Sequence, residues 1–118
     1  MPRPKGGHAE SYLLIEVPDA ANAPELRPRD IVAVDPQAEL AHGDFVHIEI
    51  RYKKALQRSF RQYRDYGSAI RLEPLNRNYR SYIFGAPGEP RLAILGKVME
   101  LSRGFVMPLV SGGAVSAV

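Results

Sequence analysis

From Phe45 to Arg51 the chain alternates with a period of two: Val46, Ile48 and Ile50 share one face, and Phe45, His47, Glu49 and Arg51 share the other. Only an extended strand repeats its side chains at that interval, so FVHIEIR reads as a half-buried β-strand. Ala55–Tyr63 alternates in the same way, setting Leu56, Arg58, Phe60 and Gln62 opposite Ala55, Gln57, Ser59, Arg61 and Tyr63. The interval Tyr52–Lys54 joins the two runs as a hairpin. Upstream, the short apolar runs Tyr12–Val17 and Asp30–Asp35 are bounded by Pro, Asp and Asn, the punctuation of strands. PDAANAPELRPR between them reads as a loop or a short turn of helix.

Downstream, DYGS forms a turn, AIRLEPL a further strand, NRNYRS a loop and YIF a short strand. GAPGEP is the strongest turn cluster, and it leads into RLAILGKVMEL, a long final strand in which Gly96 marks a bulge or a close backbone approach. No segment holds a helical period for long and no internal repeat occurs. The pattern predicts a mainly β domain of curled antiparallel sheet with little helix, spanning residues 11–101, with Leu14, Val32, Val34, Ile48, Ile70, Leu72, Ile94 and Val98 in its core. Residues 1–10 carry Pro, Gly and charge without periodicity and read as a flexible arm. Residues 102–118 form an apolar tail broken by Pro108, Gly112 and Gly113.

Composition narrows the chemistry. With 118 residues, 45% of them apolar, the chain suits one domain with a real core. It has no cysteine, which excludes disulfides, thiolate metal sites and a thiol nucleophile. No apolar run is long enough to span a membrane and MPRPKGGHAE lacks the apolar segment of a secretory signal, so a soluble cytoplasmic protein without membrane contact is expected. His8, His42 and His47 are too scattered for a metal set, and His47 reads as a surface or edge residue. Neither a metal nor a cofactor is called for. Asp19, Asp30, Asp35 and Asp44 read as residues that cap or turn the chain.

Net charge is +3, and it is concentrated. Arg51–Arg64 holds six of the sixteen Lys/Arg and none of the thirteen Asp/Glu, with Tyr52, Phe60 and Tyr63 interleaved. Arg51, Lys53, Lys54, Arg58, Arg61 and Arg64 are therefore candidate anion-binding residues, able to hold a phosphate backbone if they share a surface. The competing reading is a solvated hairpin face whose aromatic residues pack inward.

Four motifs occur in an order seen elsewhere. They are Val17, Asp19, Pro24, Glu25, Leu26, Asp30, Val32, Val34 and Asp35 in the first; Gly43-Asp44-Phe45-Val46; LEPLNRNY, Leu72 to Tyr79; and Ile94-Leu95-Gly96-Lys97-Val98. Together they resemble the C-terminal domain of LexA and phage repressors, self-cleaving peptidases with a Ser/Lys dyad on a β-rich scaffold. The resemblance places Ala21 at the nucleophilic serine and Asn22 at the methionine after it. At the lysine it places Arg58, or Arg61 if the register is shifted. A methyl group cannot attack a carbonyl, and a guanidinium stays protonated, so no dyad remains at these vestigial positions. The family's scissile pair before the first strand is not evident, Gly6-Gly7 being a poor substitute. Arg29 stands where the family has glycine; if that turn needs positive φ, it costs on the order of 1 kcal/mol.

The resemblance implies a non-catalytic dimerisation or regulatory module of a transcriptional regulator. No helix-turn-helix lies in these 118 residues; the half that would read DNA is either missing through truncation or supplied by a protein partner carrying that domain. A homodimer is expected, paired through an exposed edge at the final strand (Leu92, Ile94, Val98 and Leu101) and through Phe105–Val110. The alternatives are an active peptidase using other residues, or a single-stranded nucleic-acid binder built on the 51–64 hairpin.

Overall fold

A computed structural model describes residues 12–102. Seven strands follow in chain order: β1 (Leu13–Glu16), β2 (Ile31–Asp35), β3 (Phe45–Tyr52), β4 (Ala55–Asp65), β5 (Ile70–Glu73), β6 (Tyr82–Ile83) and β7 (Arg91–Ser102). They form one sheet in the order β1-β2-β7-β3-β4-β5-β6, with every pairing antiparallel. No helix occurs among the described residues. The period-two runs thus became strands where expected, and the all-β class holds. Of the expected arm and tail, only Ser102 falls inside the described residues; Gly6-Gly7 and Phe105–Val110 lie outside them.

The longest strand joins two halves of the sheet. Arg91–Lys97 pairs with β3, while Lys97–Ser102 pairs with β2 on the opposite side. The ladder shifts at both places: Leu95 is left over between Gly96↔His47 and Ile94↔Ile48, and Met99 between Val98↔Val34 and Glu100↔Ala33. Each extra residue bends the strand and sharpens its twist. Gly96 sits at the crossover, where an added Cβ would lie 2.5 Å from Val34 Cγ1 and 2.9 Å from the Asp35 carbonyl. A close approach there needs glycine.

Curling produces two apolar clusters. Val17, Leu26, Val32, Val34 and Phe60 form one, with Ile15, Phe45 and Val98 packed against it. Val46, Ile48, Ile50, Leu72 and Tyr82 form the other, with Ile70, Leu92 and Ile94 at its margin. Because the clusters cover opposite faces of β3 and β4, both faces of these strands are buried near their centres. His47 is therefore not a surface residue: it is 5% exposed and stacks on Phe60 at 4.8 Å. Burial, and to a lesser degree Arg58, holds its imidazole below the ordinary value, against a smaller opposite pull from Glu49.

Two expectations need correction. Leu14 is not in the core but 63% exposed, because Ile15 and Val17 take the inward parity of the first strand and its segment lies at the sheet margin. β7 is not an exposed edge: it lies third in the sheet, and Leu92, Ile94 and Val98 pack against the two clusters. Only Met99–Ser102 runs past the end of β3, leaving that side without a strand partner among the described residues.

The chain also carries backbone strain at a legible position. Arg29 adopts φ 76°, the left-handed region in which a Cβ is crowded. Its N–H still donates to the Val17 carbonyl at 2.9 Å, extending the β1–β2 ladder and holding the conformation in place. Arg29→Gly should raise stability by about 1 kcal/mol, read as a higher urea midpoint with an unchanged slope.

Candidate functional site

The loop between β1 and β2, residues 17–30, is drawn tight by its own polar side chains. Asp19 Oδ1 accepts from the Ala21 N–H at 3.1 Å, and Asp30 Oδ2 accepts from the Arg27 N–H at 2.7 Å. Asp35 and Asp44 do the same for Gln37 and Ala41, so all four aspartates act as turn formers. Val17 and Leu26 at the shoulders of the loop enter the first cluster, which pins the segment between them onto β4.

That contact falls where β4 has lost a neighbour. β5 pairs only with Gln62–Asp65, leaving Ala55–Arg61 without a strand on that side. Asn22, 2% exposed, fills part of the gap: its amide donates to the Phe60 carbonyl at 2.6 Å, and its carbonyl oxygen accepts from the Leu75 N–H at 3.3 Å. The segment after β5 closes over the other side. Asn76 N–H donates to the Ala21 carbonyl at 2.9 Å, its side-chain amide to the Ala20 carbonyl at 3.3 Å, and the Tyr79 hydroxyl accepts from the Ala20 N–H at 3.3 Å. Ala21 is fully buried beneath these bonds.

A buried arginine completes the arrangement. Arg61 is 3% exposed; one terminal nitrogen donates to Ser59 Oγ at 2.7 Å and to the Phe60 carbonyl at 2.8 Å, and Nε donates to the Arg80 carbonyl at 2.9 Å. Ser59 Oγ passes the chain on, donating to Asp19 Oδ2 at 2.9 Å. Burial pulls the guanidinium below its ordinary value, opposed chiefly by Tyr82 and Asp19. Arginine tolerates that setting because it stays charged and its planar fork meets several acceptors together. Tyr82 lies under both Arg61, at 5.6 Å, and Arg80, at 4.8 Å. Its phenol is pushed up to about 12 by burial and by the Tyr52 hydroxyl 3.3 Å away.

The six basic residues of the hairpin do not share a surface. Arg61 is inside, and Arg58 is exposed and pairs with Glu49 at 3.5 Å. Arg64 lies by Glu73, while Lys53 and Lys54 are at the exposed tip and Arg51 turns toward the start of β7. Of the two arginines considered at one functional position, Arg61 is the one joined to the 17–30 loop through Ser59 and Asp19. Of the four interface residues, Leu101 is 40% exposed, and Leu92, Ile94 and Val98 are half-buried.

The Peptidase S24-like family profile matches residues 4–99, most of the chain and all but the end of β7. The chain belongs to that family. No curated protein matches it. In this S24-like domain the first motif runs from the end of β1 through the loop into β2, and LEPLNRNY supplies the segment that closes over Ala20 and Ala21. What sequence reasoning passed over is Asn22, the clamp between three segments, and the Asp19–Ser59–Arg61 chain. The parity of β4 was the available signal, since Ser59 and Arg61 share a face.

The clamp has a measurable weight. Asn22→Ala removes two hydrogen bonds at a buried site and leaves the Leu75 N–H without its acceptor, so it should destabilise the domain by about 1–3 kcal/mol in urea unfolding.

Proposed function

We propose that this S24-like domain is non-catalytic and serves as a dimerising, regulatory interaction module of a transcriptional regulator, with DNA reading supplied by a separate domain or partner protein. The observation that carries the reading is the pairing of residues across the loop and β4. Ala21 lies buried where the family resemblance puts the nucleophile, and the cation tied to the same loop is Arg61, engaged by three acceptors. The tie to the same loop supports Arg61 over Arg58 as the counterpart of the family's lysine. A guanidinium cannot take a proton from a hydroxyl at working pH. Ser59 is no substitute nucleophile in this reading: it is 1% exposed, and its hydroxyl is committed to Asp19.

For the interaction role, support comes from the β1-β2-β7 corner. Met99 and Leu101 are exposed on the stretch of β7 that has no partner strand on its β3 side among the described residues, and Leu13 and Leu14 are exposed on β1, across β2. An unpaired strand side next to apolar side chains is satisfied by a second copy, and a two-fold pair closes the contact.

Two measurements test these statements. Alkaline incubation, which promotes self-cleavage when a lysine is the base, should leave the chain intact, and Ala21→Ser alone should remain intact as well; specific fragmentation of either would refute the loss of chemistry. Sedimentation at micromolar concentration should give a homodimer that Met99→Asp with Leu101→Asp converts to monomer. A monomeric parent chain would remove the interaction reading.

A further inference from the structure

We propose that the cleft between the β3–β4 hairpin and the segment leading into β7 binds the phosphodiester backbone of single-stranded nucleic acid. This cleft, about 720 Å³, is lined by Arg51, Tyr52, Lys53, Arg80, Glu89 and Arg91. A second concavity of about 440 Å³, bordered by Glu49, Leu92 and Ala93, shares Arg51 and Arg91 with the first. The two arginines are direct register partners on β3 and β7. Like charges set opposite one another across a ladder destabilise it, and an anion seated between them reverses that repulsion.

The neighbouring carboxylates Glu89 and Glu49 offset part of this charge and leave an excess from Arg51, Lys53, Arg80 and Arg91. Glu89 is held by Arg80 at 2.6 Å and by the Ile83 N–H at 3.0 Å. Glu49 is shared, lying 3.5 Å from Arg58 and 4.0 Å from Arg51. Lys53 and Arg91 have no ion pair among the described residues. An elongated ligand fits better than a single small anion, because the arginine pair stands between two concavities. Tyr52 selects its chemistry: the residue is 37% exposed, lines the larger cleft and is anchored through its hydroxyl to Tyr82, a platform for a base.

The test is fluorescence anisotropy of a labelled oligothymidylate titrated with the full chain at low salt. A Kd of roughly 1–100 µM that weakens steeply with salt is expected. Arg51→Ser with Arg91→Ser should weaken binding by at least ~10-fold and flatten the salt dependence, and Tyr52→Leu should cost a further ~5-fold or more. Arg77→Ser, at an exposed arginine outside the cleft, should change nothing. Arg51 and Arg91 are exposed, so circular dichroism of the double variant, the second measurement, should match the parent and separate loss of the cleft from misfolding. Absence of binding, equal loss in Arg77→Ser, or displacement by polyglutamate or inorganic phosphate as effective as by unlabelled oligonucleotide would each overturn the proposal.

Discussion

Two half-sheets share one strand here, and they can do so only where the backbone of β7 meets that of β2 without a side chain between them. Gly96 provides that point: a Cβ would come within 3.0 Å of the Asp35 carbonyl and closer still to Val34. On either side of it, the extra residues Leu95 and Met99 bend β7 so that its first half serves β3 and its last half serves β2. The bend sends the apolar residues of the two halves to opposite faces of β3 and β4. Two clusters result, and a β-domain of modest size thereby buries both sides of its central strands.

The loop at the candidate site depends on the same geometry. Val17 and Leu26 reach the first cluster because β2 is held against β7, and their burial brings Asn22 to the uncovered side of β4. Buried polar groups must find partners, and here they find one another. The Phe60 carbonyl takes both Asn22 and Arg61, and Ser59 links Arg61 to Asp19. A charge so enclosed is tolerated because its Nε and one terminal nitrogen are engaged by three acceptors; removing one acceptor would leave a desolvated cation rather than a free reactive group. The arrangement has the character of a tie between segments.

Tyr82 connects this interior tie to the surface. Its ring lies against Arg61 on the inside and Arg80 toward the cleft, and its hydroxyl meets that of Tyr52. The positive charge of the hairpin is thus divided: Arg61 serves the loop, Arg58 and Arg64 face carboxylates, and Arg51 joins Arg91 at the mouth of the cleft.

Much of this was written in local pattern. A strand places alternate residues on opposite sides whatever surrounds it, so period-two runs located β3 and β4. Asp beside a turn bonds its own backbone, so the four aspartates were legible as turn formers. Gly96 and Arg29 stood out because a close approach and a positive φ each restrict residue type. Which side of a strand is covered is a different matter. Arg58 and Arg61 lie on opposite faces of β4, and nothing within β4 tells which one is enclosed; a loop some forty residues away decides it by carrying Asp19 and Asn22 across the strand. The central place of β7, the burial of His47 and the meeting of Arg51 with Arg91 arise likewise from pairings between distant segments. Alternation determined the parity of each side chain, and only the closed sheet determined what that side chain faces.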